Sequence, residues 1–141
     1  MKSTRRERQM YRIDVNRAES IVSFALEGYI RLEEMQRFVV ELKAATDTVA
    51  GQAIKIEADL RMFRPASPEA ADLIRRVQEY GLRSGVTRVA ELVQNQIVAL
   101  QLNRVASGSG TDKILRRFWQ ESAARAWLLH GDAELGVALQ G

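Results

Sequence analysis

From Tyr11 the chain alternates. Tyr11, Ile13 and Val15 are apolar, Arg12 and Asp14 between them are charged, and a period of two predicts a strand with one buried face. "NRAES" (Asn16–Ser20) reads as a turn, after which Val22, Phe24 and Leu26 alternate with Ser23, Ala25 and Glu27. The two runs are spaced for an antiparallel hairpin that ends at Gly28. The period then changes. Met35, Phe38, Val39 and Leu42 fall at i, i+3, i+4 and i+7, which is one apolar stripe of a helix, and Glu33, Glu34, Arg37, Glu41 and Lys43 take its other side. This helix should fade near Thr46–Gly51.

Ile54, Ile56, Ala58 and Leu60 alternate with Lys55, Glu57 and Asp59 to make a third strand. A strand buried on both faces would read as a near-continuous apolar run. The pattern therefore predicts a sheet covered by helices on one side and at least partly open on the charged side. A second helix is expected from Pro68 to about Tyr80, with Ala70, Leu73, Ile74 and Val77 as its stripe and the glycines of "GLRSG" as its stop. "VTRVAELV" (Val86–Val93) is a fourth strand, Asn95–Ala106 a third helix, and "SGSGTD" (Ser107–Asp112) a loop. "KILRRFW" (Lys113–Trp119) is a fifth strand, and "ESAARAWLL" (Glu121–Leu129) a last short helix. The order β-β-α-β-α-β-α-β-α implies parallel pairings with right-handed crossovers after the opening hairpin. Three segments follow: a basic arm at 1–9, a domain at 10–130 and a C-terminal tail at 131–141.

Composition narrows the function classes. The chain has 141 residues, suited to one domain with a real core. There is no cysteine, which removes disulfides, thiolate metal sites and cysteine nucleophiles, and fits a cytoplasmic protein. No apolar run reaches the roughly 18–20 residues a membrane-spanning helix needs. The pI of about 9.6 suggests nucleic acid until the charge is located. Residues 1–12 hold five basic side chains against one acidic, and the remaining 129 residues hold 16 basic and 17 acidic. The body is nearly neutral and the basicity belongs to the arm, which argues against a nucleic-acid-binding face.

The pieces in this order resemble the STAS domains, in particular the divergent bacterial SpoIIAA-like group with its Sec14-like relatives. The resemblance covers about residues 10–130. It is carried by "FALEGYI", "EEMQRFVVEL", "IEADLR" followed by "SPEAADLIRR", "GVTRVAELV", "QIVALQLNRVA" and "RRFWQESAARAWL". It implies an α/β fold: a mixed sheet of about five strands with four helices mostly on one face. In antagonist members of the family, a serine or threonine in a "DSSG"-like motif at the start of the helix after the third strand is a phosphorylated switch. Here Asp59 matches the acidic strand end and "SPEA" stands where "DSSG" would be. Pro68 replaces a hydroxyl residue, and the motif's aspartate and glycine are missing.

Ser67 is placed to cap the second helix, with its oxygen toward the amide of Ala70 and Pro68 at the first helical position. A phosphate would also be tolerated at a helix N-terminus, so the switch remains the competing reading. Arg61 and Arg64, in the loop before that helix, would either bind an anion or, for Arg61, pair with Asp59 or Glu91. Met62 and Phe63 between them would either contact a partner or fold back onto the core. "SGSGT" lacks the spacing and lysine of a phosphate loop. His130 is the sole histidine, so no metal site is expected. Trp119 and Trp127 are read as packing residues. No catalytic residues and no cofactor are called for.

The sequence is therefore read as a non-enzymatic interaction module. It would bind a protein partner, and a second copy of itself, through the open sheet face or through Arg61, Met62, Phe63, Arg64 and Ser67. The alternative is a small carrier or sensor of a lipid or other apolar ligand, held between the sheet and a mobile first or last helix.

Overall fold

The structure, a computed structural model, describes the backbone of residues 10–140 and the side chains of residues 10–132. Strand β1 (Tyr11–Asn16) pairs antiparallel with β2 (Ile21–Gly28) through the expected turn. Helix α1 (Leu32–Asp47) leads to β3 (Ile54–Phe63), α2 (Pro68–Ser84) to β4 (Val86–Leu92), and α3 (Gln96–Ser109) with a 3-10 turn (Thr111–Ile114) to β5 (Leu115–Phe118). Helix α4 (Glu121–Gln140) follows, broken at Gly131. The basic arm at 1–9 lies outside the described residues.

The strand order in the sheet is β1-β2-β3-β4-β5, the order in the chain, and β2 to β5 are parallel. Right-handed crossovers that all step the same way put every connecting helix on the same face. Accordingly α1, α2 and α3 share one side, where Val22, Leu26, Phe38, Ile56, Leu60 and Leu102 form the main core. Helix α4 comes after the last strand, has no crossover to make, and packs on the opposite face. There Ala124, Trp127 and Leu128 meet Ile21, Ala90 and Leu92 in a second, smaller core.

Several boundaries differ from the sequence reading, among them the fifth strand, whose expected start at Lys113 lies in the 3-10 turn. Helix α2 continues through Gly81, because it is Gly85 that takes the left-handed conformation (φ 107°) and closes the helix. Helix α3 runs to Ser109, so the first half of "SGSGTD" is helix end, with Gly110 left-handed (φ 90°) after it. Strand β3 extends to Phe63, and the helical backbone of α4 passes the expected end at Leu129. The larger difference concerns the charged side of β3, expected to be at least partly open. Glu57 lies beneath α4 and is buried.

Candidate functional site

Because β2 to β5 are parallel, their carboxyl ends and the N-termini of all four helices gather at one end of the sheet. The loop between β3 and α2 is fixed there. The Gln101 side chain accepts a hydrogen bond from the Ala66 amide and donates one to the Ala66 carbonyl, both 2.8 Å long, tying the loop to α3. The Arg64 amide donates to the Gly28 carbonyl at 3.0 Å, tying it to the end of β2. Ser67 Oγ accepts from the Ala70 amide at 3.1 Å, and Pro68 opens the helix.

The five site residues named from the sequence separate. Met62 is 70 % exposed, whereas Phe63 is 3 % exposed and belongs to the main core, so it offers no contact surface. Arg64 is exposed at the loop. Arg61 lies on the other face of β3, where its Nε and Nη2 donate to Asp59 Oδ1 and Oδ2 at 2.9 and 2.7 Å. These bonds hold the Asp59 carboxyl below the usual carboxylate range. Arg61 is thereby committed to Asp59 and does not join Arg64 in an anion pocket at the helix.

Met62 has company. Tyr29 follows β2, Ile97 and Leu100 lie on the first turns of α3, and Trp119 follows β5. All are exposed, and Trp119, expected to pack, is 70 % exposed. Trp127 is buried in the second core, with its indole N–H donating to Asp132 at 3.0 Å.

A polar groove of about 400 Å³ lies on the opposite face, between the β1 side of the sheet and α4. Sheet register builds it. Asp14, Ser23 and Glu57 are lateral neighbours on β1, β2 and β3, and Arg12, Ala25 and Asp59 form the adjacent row. In both rows the middle strand contributes a small side chain, so the floor is low and charged residues stand on either side. Neighbouring strands are about 4.8 Å apart, which places the β1 and β3 backbones roughly 10 Å apart. Glu121 and Arg125 of α4 complete the lining. Arg125 Nη2 donates to Glu57 Oε1 at 2.7 Å, and Ser23 Oγ donates to the same oxygen at 3.2 Å. Glu57 Oε2 and Arg125 Nε are buried with no hydrogen-bond partner. Four carboxylates therefore line the groove, yet among the described residues no three acidic or histidine groups are set to hold a metal ion.

The second buried acid, Glu91, points the other way, toward the main core. Burial pushes its carboxyl up, against the opposing pull of the Arg117 guanidinium, whose Nε donates to it at 2.9 Å. Arg117 also donates to Asn103. Glu91 borders an apolar cavity of about 70 Å³ between the sheet and α1–α3. His130 is exposed and has no part in either site.

No protein-family model matches the sequence, and no curated protein matches it. Among solved structures, the chain is similar to an uncharacterised protein of the DUF3478 family with a SpoIIAA-like fold from Shewanella loihica PV-4. The two are 20 % identical, with a TM-score of 0.58 over 84 % of this chain and 93 % of that one. At that identity the likeness speaks for architecture alone. With its five-stranded mixed sheet, three crossover helices on one face and a fourth on the other, the chain has the SpoIIAA-like fold.

Proposed function

We propose that the chain is a non-enzymatic interaction module that takes a protein partner on the end of its sheet where β2 to β5 finish. One observation carries this reading. Six large apolar side chains are strongly exposed among the described residues, and five of them, Tyr29, Met62, Ile97, Leu100 and Trp119, belong to this end; the sixth is Val40 on α1. Scattered apolar residues are normal on a surface, but aromatic residues and methionine gathered at one place are enriched where proteins meet. The loop between β3 and α2 is pinned at both ends, so the surface is preorganised and loses little freedom on binding.

The test is recovery of a partner from cells of the native host. Wild-type protein and a Met62→Glu/Trp119→Glu variant of equal thermal stability would be used as bait. The reading expects a defined protein retained by the wild type and lost from the variant. An identical set of proteins on both baits overturns it.

The carrier reading rests on the apolar cavity beside Glu91. At about 70 Å³ it is less than half the roughly 150 Å³ that admits benzene in an engineered protein core. A lipid would need α1 or α2 to move outward, and native mass spectrometry of freshly purified protein would show the bound mass.

A further inference from the structure

We propose that the groove between the β1–β3 face and α4 is a binding site for an organic cation, a small ligand with a primary ammonium or guanidinium group, seated between Asp14 and Glu57 above Ser23. The site is separate from the apolar end of the sheet and does not depend on that surface having a partner.

Three observations combine. First, Glu57 is 5 % exposed, lines the groove, and has one oxygen already bonded and one buried without a partner. A buried carboxylate oxygen with no donor is costly to keep, so a turn of the side chain that brings this oxygen to the groove and to a ligand's N–H is favoured. Second, Asp14 and Glu57 belong to one lateral row with only Ser23 between them. Two carboxylates across a low floor suit a group with several N–H donors on one centre. An ammonium has three and a guanidinium has five. Third, the charges of the lining do not cancel. Arg61 is held by Asp59 and Arg125 by Glu57, while among the described residues Asp14 and Glu121 take part in no ion pair. Arg12 is the single basic side chain of the lining without an ion-pair partner there, which leaves the groove one negative charge in excess.

The chemistry also sets limits. A metal ion would need three or more ligands around one point, which this arrangement lacks. A quaternary ammonium has no N–H to give and should bind poorly. An anion would meet an excess of carboxylates. The same cationic group could arrive on a free diamine or on a lysine side chain, and the experiment separates the two.

Isothermal titration of the full chain at low salt would use cadaverine, agmatine, tetramethylammonium, glutarate and Nα-acetyl-lysine methylamide as probes. Cadaverine or agmatine should bind with a Kd below a few millimolar, with tetramethylammonium and glutarate at least about tenfold weaker. Asp14→Asn, a change at an exposed position, should weaken binding about five- to tenfold without shifting the melting temperature. Glu57→Gln, which keeps the shape of the side chain, should weaken it further. Binding of the capped lysine as tightly as cadaverine would assign the site to a protein side chain; its failure to bind while cadaverine binds would assign it to a free amine. If neither amine binds, if Asp14→Asn binds as the wild type does, or if glutarate binds more tightly than cadaverine, the proposal is wrong.

Discussion

Arg125 Nη2 lies 2.7 Å from Glu57 Oε1, and 68 positions of chain separate the two residues. One belongs to α4 and the other to β3, so this ion pair fastens the last helix to the middle of the sheet. Losing one member of a buried pair leaves a charge with no compensation, typically costing about 3–5 kcal/mol. Arg125 is 37 % exposed and solvent can screen part of the loss. Arg125→Met should therefore cost about 1–3 kcal/mol in urea unfolding, and Glu57→Gln/Arg125→Met should recover much of it. A double variant no more stable than the single one would show that the pair does not hold the helix.

Glu91 gives a pH dependence of opposite sign to the usual carboxylate. Burial raises its proton affinity in the folded state above that of the unfolded chain, where a glutamate titrates near about 4.3. The stabilisation from that bound proton is present in full below the unfolded value and is lost as pH rises through the raised folded value. Glu91→Gln does not titrate there. The stability of the wild type relative to Glu91→Gln should fall as pH increases from about 4. A difference that stays constant with pH would contradict the assignment.

Ser67 accepts the Ala70 amide, which gives a direct comparison between a cap and a switch. Ser67→Ala should cost about 0.5–2 kcal/mol, and Ser67→Asp should keep most of the stability because aspartate also caps well. A cap further expects Ser67→Asp to bind partners as the wild type does, whereas a switch expects the added charge to weaken binding. Phosphate found on Ser67 in protein isolated from its host would decide for the switch.

Gly131 breaks α4 with φ 74° and ψ −165°, a region that essentially only glycine occupies. A Cβ there would stand 2.8 Å from Arg88 Nη2, while Arg88 Nη1 donates to the Leu128 carbonyl at 2.8 Å. Gly131→Ala should destabilise the protein by about 1–3 kcal/mol. An unchanged melting temperature would mean that the break is not fixed by this packing.

The arm at 1–9 carries almost no apolar surface. Deleting it should move the melting temperature by no more than about 2 °C, and a larger loss would show that it docks on the body.

Alternation was enough to read the first three strands, because Val22, Phe24 and Leu26, or Ile54, Ile56 and Leu60, must share a face whatever the topology. What alternation cannot tell is what covers the opposite face. Ile21, Ala90 and Leu92 are each one step out of phase with the main stripe, and that small group of apolar residues was the available sign of a second core. Its partner is a helix later in the chain, so Glu57 looked solvated when read from β3 alone. The groove is hidden for a related reason. Asp14, Ser23 and Glu57 become one row only when register is known, and the period of two fixes register to parity and no further. Phe63 was left between core and contact surface, because a period of two continued from Leu60 puts Met62 on the core face, and the register shift between β2 and β3 puts Phe63 there instead. Trp119 was read as packing although its strand ends one residue before it.

The identity between strand order and chain order bears on how the molecule is made. Each strand pairs with the one that precedes it, so a nascent polypeptide can add β3, β4 and β5 to an edge that already exists, with no earlier strand held waiting for a distant mate. Helix α4 is the exception, since it closes over strands already laid down. Until the ribosome delivers it, the carboxylate of Glu57 sits in water. The groove is thus the last part of the protein to come into being, and premature termination before residue 121 would leave a sheet with one finished side and no groove on the other.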